Sequence, residues 1–198
     1  FRREHHLKPA MLPAMLSLPV PAPRVRHVEK PEDDSGAVEQ ERNIDTEVAE
    51  WENLFSGAAV RIPAGTHRRI ILDFDEYYCV YPELETSGGR GAVVTMKWAE
   101  GLFAKSGRLS GGGDPNAAGK GNRDEIYGKR FAGGGPVFRP DGGRERVFSP
   151  LWWEAGRYVE ITVKTADEDL VLDSLKFEET RYPLAQDGAT ACDDADWD

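Results

Sequence analysis

Cysteine is scarce in this chain: only Cys79 and Cys192 occur among 198 residues. Two cysteines cannot hold a metal by themselves, and nothing in their spacing demands a disulfide, although one remains open. Histidine is as thin, with four residues, three of them (His5, His6 and His27) in the N-terminal segment. HxxEH and CxxC metal motifs are absent, and no Ser/His/Asp order stands out. No run of about 18 apolar residues exists, so a membrane-spanning helix is excluded. Basic residues are outnumbered, 25 Lys and Arg against 35 Asp and Glu, for a formal net charge of −10. Nucleic acid and anionic membranes both favour a basic face, so neither is an expected partner. An acidic surface suits neutral sugars or cations, and also suits simple solubility.

What is present reads as β structure. The segment from Phe148 to Val163, FSPLWWEAGRYVEITV, is the most informative. Two tryptophans precede a period-2 strand, with Val159, Ile161 and Val163 on one face and Tyr158, Glu160, Thr162 and Lys164 on the other. Such a strand is expected to be half-buried in an antiparallel sheet. Further strand patterns lie at AAVRIP (58–63), RRIILDF (68–74), YYCVYPELET (77–86), AVVTMKWAE (92–100), DEIYGKRF (124–131) and LVLDSLKFEE (170–179). Ile70, Leu72 and Phe74 share a face, as do Val94, Met96 and Trp98, and Trp98 is expected in the core. Pro82 suggests an edge or a bulge. Ser87–Gly91 reads as a hairpin turn, and Asp141 as a turn residue before a glycine with positive φ. Seven or eight short strands at 8–12-residue intervals, with glycine turns and no βαβ alternation, indicate an antiparallel β-sandwich or jelly roll.

The flanks differ. Residues 1–44 are proline-rich, then acidic, and read as an extended linker. Pro13, Pro19, Pro21 and Pro23 interrupt its apolar stretch, which makes it a poor signal-peptide core. The chain starts at Phe1 rather than methionine, which points to a processed or cut piece. The sandwich is expected over residues 45–184, and residues 185–198 read as an acidic tail. DTEVAEWENLF (45–55) places Val48, Trp51, Leu54 and Phe55 at spacings of 3 and 4, which suits a short helix capped by Asp45. A strand crossing the domain edge is the alternative. Residues 104–122 form a long glycine-rich loop without the GxxxxGK(S/T) spacing of a phosphate cradle.

Two groups of residues can carry chemistry. Asn122, Arg123, Asp124 and Glu125 stand at the exit of the long loop. Side-chain oxygens at alternate positions can ligate Ca²⁺, and an arginine beside a carboxylate can clamp sugar hydroxyls. Equally, Asp124 and Arg123 can pair with each other and pin the loop base. Trp152 and Trp153 form the second group. Strand neighbours point to opposite faces, so one is expected in the core and one outside. The outer ring could stack on the apolar face of a deoxysugar, pack on an adjoining domain, or cover a core edge. Arg157 is expected to pair with Glu100 or Glu154. Abundant carboxylates make any chosen catalytic pair uninformative.

Several landmarks also resemble those of a known family. LDFDEY with Asp73 and Phe74, VTMKWAEGL ending in Ala99 and Glu100, NRDEIYGK, FRPDGG, PLWWEAGRYVEI and ETRYPL occur in the order seen in the β-sandwich domain of bacterial α-L-rhamnosidases. Asp75 stands where that family usually has a glycine. The resemblance covers about residues 60–184. It implies a non-catalytic sandwich preceding an (α/α)6 catalytic barrel, to which the tail would lead. The barrel carries the general acid and base, so no catalytic residue carries over to this chain. The parent reaction implied is hydrolysis of terminal α-L-rhamnosyl bonds, with rhamnose-containing glycans and the adjoining barrel as partners. If the sandwich binds sugar, Trp152 or Trp153 would stack, and Asn122, Arg123 and Asp124 would hold hydroxyls. No cofactor is implied, and calcium stays open. The alternative is an interdomain scaffold without sugar affinity.

Overall fold

The computed structural model describes residues 9, 11–32, 36–104, 119–184 and 188. Cys192, and with it the open question of a disulfide to Cys79, most of the glycine-rich loop and most of the acidic tail fall outside these residues. In chain order the elements are β1 (Leu16–Pro19), β2 (Arg24–Glu29), a 3-10 turn (Gln40–Arg42), α1 (Asp45–Phe55), β3 (Val60–Ile62), β4 (His67–Gly88), β5 (Val93–Ala99), β6 (Phe103–Ala104), β7 (Lys129–Arg130), β8 (Val137–Phe138), β9 (Arg146–Phe148), β10 (Glu154–Lys164) and β11 (Leu170–Arg181).

The fold is all-β and antiparallel, and β4 is its spine. Its first half pairs with β2 on one edge and β10 on the other. Its second half pairs with β11 and β9 on the corresponding edges. Beyond β10 lie β5 and β8, and beyond β11 lie β1 and β3. The sheet therefore curls so that its two halves face each other as a sandwich. Between them lie Ile70 and Leu72, Val94 and Met96, and Val159, Ile161 and Val163, against Leu84, Leu170, Leu172, Leu175 and Phe177. Phe74 stacks on Trp98 at 5.9 Å between centroids, and Phe177 meets both edge-on at 5.0 and 5.7 Å. These alternations are the ones the sequence pattern gives, and Trp98 is in the core as expected.

Pro82 lies inside β4 without breaking it. Val20 N–H donates to the Phe177 carbonyl, so Phe177 turns its backbone away from β4. Pro82 lies opposite Phe177, so its nitrogen faces the gap between β9 and β10, where no donor is needed.

The segment read as linker supplies two strands. Val25 and Val28 of RVRHVE are buried in the core while β2 pairs with β4. The helix lies where expected, burying Trp51 and Leu54. Asp45 is its first residue and not its cap; Ile44 holds the cap position. Asn43 ties the turn together, accepting from Val28 N–H at 2.8 Å and donating to Asp45 at 2.6 Å. Ser87–Gly91 turns the chain sharply, but β10 lies between the strands it joins, so these are not a hairpin. The Asp141 turn forms as expected, its carboxylate accepting from Gly143 N–H at 2.7 Å, with Gly142 at φ 85°.

Glycines 133 and 135 do more than turn. Met96 N–H donates to the Pro136 carbonyl and Trp98 N–H to that of Gly134, so this segment lies along β5. A Cβ on Gly133 or Gly135 would come within 2.0 Å of a β5 carbonyl oxygen.

The half-buried expectation for β10 needs correction. Tyr158, Glu160 and Thr162 are buried like their apolar neighbours, and only Lys164 of that face is exposed. The cause is a second, smaller core on the outer face, where Val38, Leu102, Ile126 and Phe131 cover Ile71, Ala99 and Tyr158. Glu160 is tolerated there because Arg69 Nε donates to it at 2.6 Å and Lys97 at 3.0 Å. Arg69 also meets Glu29 at 3.0 Å and the Gly36 carbonyl at 2.9 Å. Burial pushes the Glu29 carboxyl up, but His27 and the Arg69 guanidinium outweigh it and hold it below its ordinary value.

Removing one member of such a group strands the others. Arg69→Met is expected to destabilise by about 3–5 kcal/mol, against about 0.5–1.5 kcal/mol for Ile161→Val in the main core. Urea unfolding monitored by tryptophan fluorescence measures both, and equal effects would mean that the ion network is immaterial.

Candidate functional site

Two irregularities in the ladders converge on Asp73. Along β10, Gly156 pairs with Tyr78 and Tyr158 with Asp73, so Arg157 alone spans the stretch from Phe74 to Tyr77. Along β2, Val25 pairs with Leu72 and His27 with Ile71, which leaves Arg26 as an extra residue. Bulges of this kind re-aim side chains. Asp75 adopts φ 64°, a backbone conformation more usual for glycine.

The re-aimed arginines meet at one carboxylate. Asp73 is fully buried and accepts from Arg157 Nε at 2.8 Å and Nη2 at 3.1 Å, a bidentate clamp. Arg26 Nη1 donates at 2.6 Å, and Arg24 lies at 3.5 Å while also pairing with Asp75. The Asp75 N–H adds a bond at 2.9 Å. Burial alone would push the Asp73 carboxyl up, but the Arg157 bonds, the Asp75 amide and Arg26 hold it below its ordinary value. Arg157 is shifted upward in turn, above all by its bond to Asp73.

The expected loop-exit group attaches to this hub. Arg157 Nη1 donates to Asp124 at 2.6 Å, Arg26 Nη2 to the Asp124 carbonyl at 3.0 Å, and Tyr158 hydroxyl to the Arg123 carbonyl at 2.7 Å. Asp124 thus pairs with Arg157 and not with Arg123, and Arg157 reaches neither Glu100 nor Glu154. Arg123 pairs instead with Glu100, which Lys120 also holds at 2.6 Å. Those bonds, Lys120 first, keep the Glu100 carboxyl low. Asn122 is used locally, accepting from Asp124 N–H at 3.1 Å and donating to Glu125 at 3.2 Å. These oxygens do not fit a calcium ion, because Asp124 is committed to a guanidinium and Asn122 to its own loop. Among the described residues no group of three or more His, Cys, Asp or Glu side chains is arranged around a metal position.

Above the hub lies an open depression of about 460 Å³, lined by Tyr77, Glu100, Arg123 and Arg157. Tyr77 is 56% exposed, while the adjacent Tyr78 turns toward Phe74 at 5.8 Å.

The tryptophans behave otherwise than expected. Residues 151–153 precede β10 and belong to no strand, so the rule of opposite faces does not apply. Both rings face outward, Trp152 69% and Trp153 39% exposed, stacked on each other at 5.9 Å and 28°. Neither enters the core. No hydrogen bond, ion pair or ring contact among the described residues joins them to Asn122, Arg123 or Asp124.

Sequence reading missed Arg24, Arg26 and Tyr77. The Arg-x-Arg spacing of β2 facing the Asp-x-Asp of β4 is the available signal, hidden because the prolines before β2 give its segment the pattern of a linker.

Neither a protein-family model nor a curated protein matches the chain. Among solved structures it is similar to a GH78 family rhamnosidase of Bacillus sp. GL1, at 13% identity and TM-score 0.41 over 69% of this chain. It spans 12% of the length of that enzyme. It is also similar to CpGH89CBM32-6 of Clostridium perfringens, at 10% identity and TM-score 0.37, over 75% of this chain and 95% of that one. A fucolectin from striped bass (Morone saxatilis) serum gives 14% and 0.34, over 81% and 47%. At these scores the likenesses decide nothing about the site.

The depressed Asp73 sets a pH signature. Its stabilisation is present above the unfolded carboxyl value of about 3.9 and is lost as pH falls through the lower folded value. Thermal unfolding of the wild type should weaken below about pH 4. Asp73→Asn should cost about 3–5 kcal/mol at neutral pH and flatten that acid dependence. Parallel pH profiles for the two proteins would refute the hub.

Proposed function

We propose that the chain is the non-catalytic β-sandwich domain of an α-L-rhamnosidase-like glycoside hydrolase and holds rhamnose-containing glycan on its surface. The parent reaction is then hydrolysis of terminal α-L-rhamnosyl bonds by an adjoining (α/α)6 barrel. The ordered landmarks from Asp73 to Leu184 support the parentage. The observation that carries surface binding is the exposed Trp152–Trp153 pair. Neither ring serves the core, and an outward aromatic platform matches the apolar face of a deoxysugar.

The polar residues at the depression support a non-catalytic role there. Glycoside hydrolysis needs one carboxyl kept protonated as an acid beside a second carboxylate. Glu100, at the depression, and Asp73 beneath it are instead both driven toward the ionised form by arginine and lysine partners.

A second reading is an interdomain scaffold without sugar affinity. It is favoured by Leu151, which is fully exposed beside the tryptophans and widens an apolar patch of the kind that docks on a neighbour.

Calorimetric titration of the chain with L-rhamnose, with and without calcium, separates the readings. Saturable heat is expected, unchanged by calcium, and weakened at least about tenfold, or 1.4 kcal/mol, in Trp153→Ala. Absence of heat at millimolar sugar would leave the scaffold. Turnover of an aryl rhamnoside by the chain alone would overturn the non-catalytic assignment.

A further inference from the structure

We infer that the depression formed by Tyr77, Glu100, Arg123 and Arg157 is a binding subsite for a neutral pyranose, gripped by its adjacent hydroxyls. This rests on the sugar-binding reading above but assigns the grip to a different place from the tryptophan pair.

The donors and acceptors alternate as neighbouring hydroxyls require. Arg157 uses Nε and one N–H of each terminal nitrogen on Asp73 and Asp124. Of its five N–H groups, two enter none of these bonds, Asp75 lying 3.8 Å from Nη2, and Arg157 lines the depression. Glu100 supplies the acceptor: its two oxygens each take one bond, from Arg123 and from Lys120, and each keeps a lone pair. Arg123 offers its remaining N–H groups from the rim. A sugar hydroxyl is donor and acceptor at once, so a pair of them can bridge Arg157 or Arg123 to Glu100. Tyr77 contributes a ring face for the C–H side of the ligand and a hydroxyl at its edge.

Charge selects the ligand class. Each cation here already has a carboxylate: Arg157 has Asp73 and Asp124, while Arg123 and Lys120 share Glu100. An anionic ligand could take the free N–H groups, but it has no use for the Glu100 lone pairs and is repelled by that carboxylate, whereas a neutral polyol uses both.

The groups are also held in advance. Arg157 is 17% exposed and fixed by three bonds, and the Tyr158 hydroxyl pins the Arg123 carbonyl. Ordering side chains on binding costs affinity, and here much of that ordering is complete in the unliganded fold. The volume of about 460 Å³ falls within the usual range of small-molecule sites.

The test is titration of the wild-type chain and of Tyr77→Ala, Arg123→Ala and Trp153→Ala with methyl α-L-rhamnoside, D-galactose, D-mannose and D-glucuronate. Tyr77 and the Arg123 side chain are more than half exposed, so both variants should keep the wild-type unfolding midpoint. At least one neutral sugar should bind the wild type, and Tyr77→Ala and Arg123→Ala should each weaken it by roughly tenfold or more. If both bind like wild type while Trp153→Ala loses affinity, sugar binding stands and this subsite falls. If no sugar binds the wild type, both fall together. If glucuronate binds more tightly than every neutral sugar, the assigned ligand class is wrong.

Discussion

A buried carboxylate survives in a fold only when something holds its charge, and Asp73 is held by guanidiniums from two different strands. Much of the geometry at this end of the sandwich follows from that requirement. Arg157 can reach Asp73 because β10 skips from Gly156 to Tyr158 against β4. Arg26 can reach it because β2 carries one extra residue. Two ladder defects, each costly alone, are stabilised by a common partner. The same arginines then fasten the loop at Asp124. A strand junction, a bulge and a loop thereby become one rigid unit.

The second buried ionic group, around Arg69, answers a different need. A sheet with one solvated face would have left Glu160 in water. Here the segments at Val38 and Ile126 close over that face, and Glu160, Glu29 and Arg69 are enclosed together. Apolar residues of similar volume could match or exceed the stability such a group confers. Its contribution is directional: the Arg69 bond to the Gly36 carbonyl fixes where the covering segment crosses the sheet. That segment in turn bridges to Arg130 and bonds to Lys129, which donates to the Lys120 carbonyl at the loop base.

Much of the fold was legible in the sequence because period-2 alternation survives wherever one face meets the main core. Ile70, Leu72 and Phe74, and Val159, Ile161 and Val163, declare themselves in this way. The reading failed where burial had another cause. Glu160 and Thr162 look like solvent residues, and no local pattern reveals that distant segments cover them. The prolines between Leu12 and Pro23 suggested a linker and masked β2, whose Val25 and Val28 are core residues. The strand rule of opposite faces does not reach Trp152 and Trp153, because the strand begins after them, at Glu154. Of the polar group, Asn122 to Asp124 was found, but its partners were not. Pairing across bulges depends on register, and register is not written in composition or spacing.

The division of labour between aromatics and charges follows from these placements. Phe74, Trp98 and Phe177 form a closed ring cluster inside the sandwich, so the core does not need Tyr77, Trp152 or Trp153. Those three face outward from backbone that is irregular: Tyr77 from the β4 bulge, the tryptophans from the approach to β10. Regular strand at either place would have turned alternate side chains inward. The bulge that lets Arg157 reach Asp73 is also the irregularity that leaves Tyr77 above it. One constraint, the need to neutralise a buried aspartate, therefore places both the polar floor and the aromatic wall of the depression.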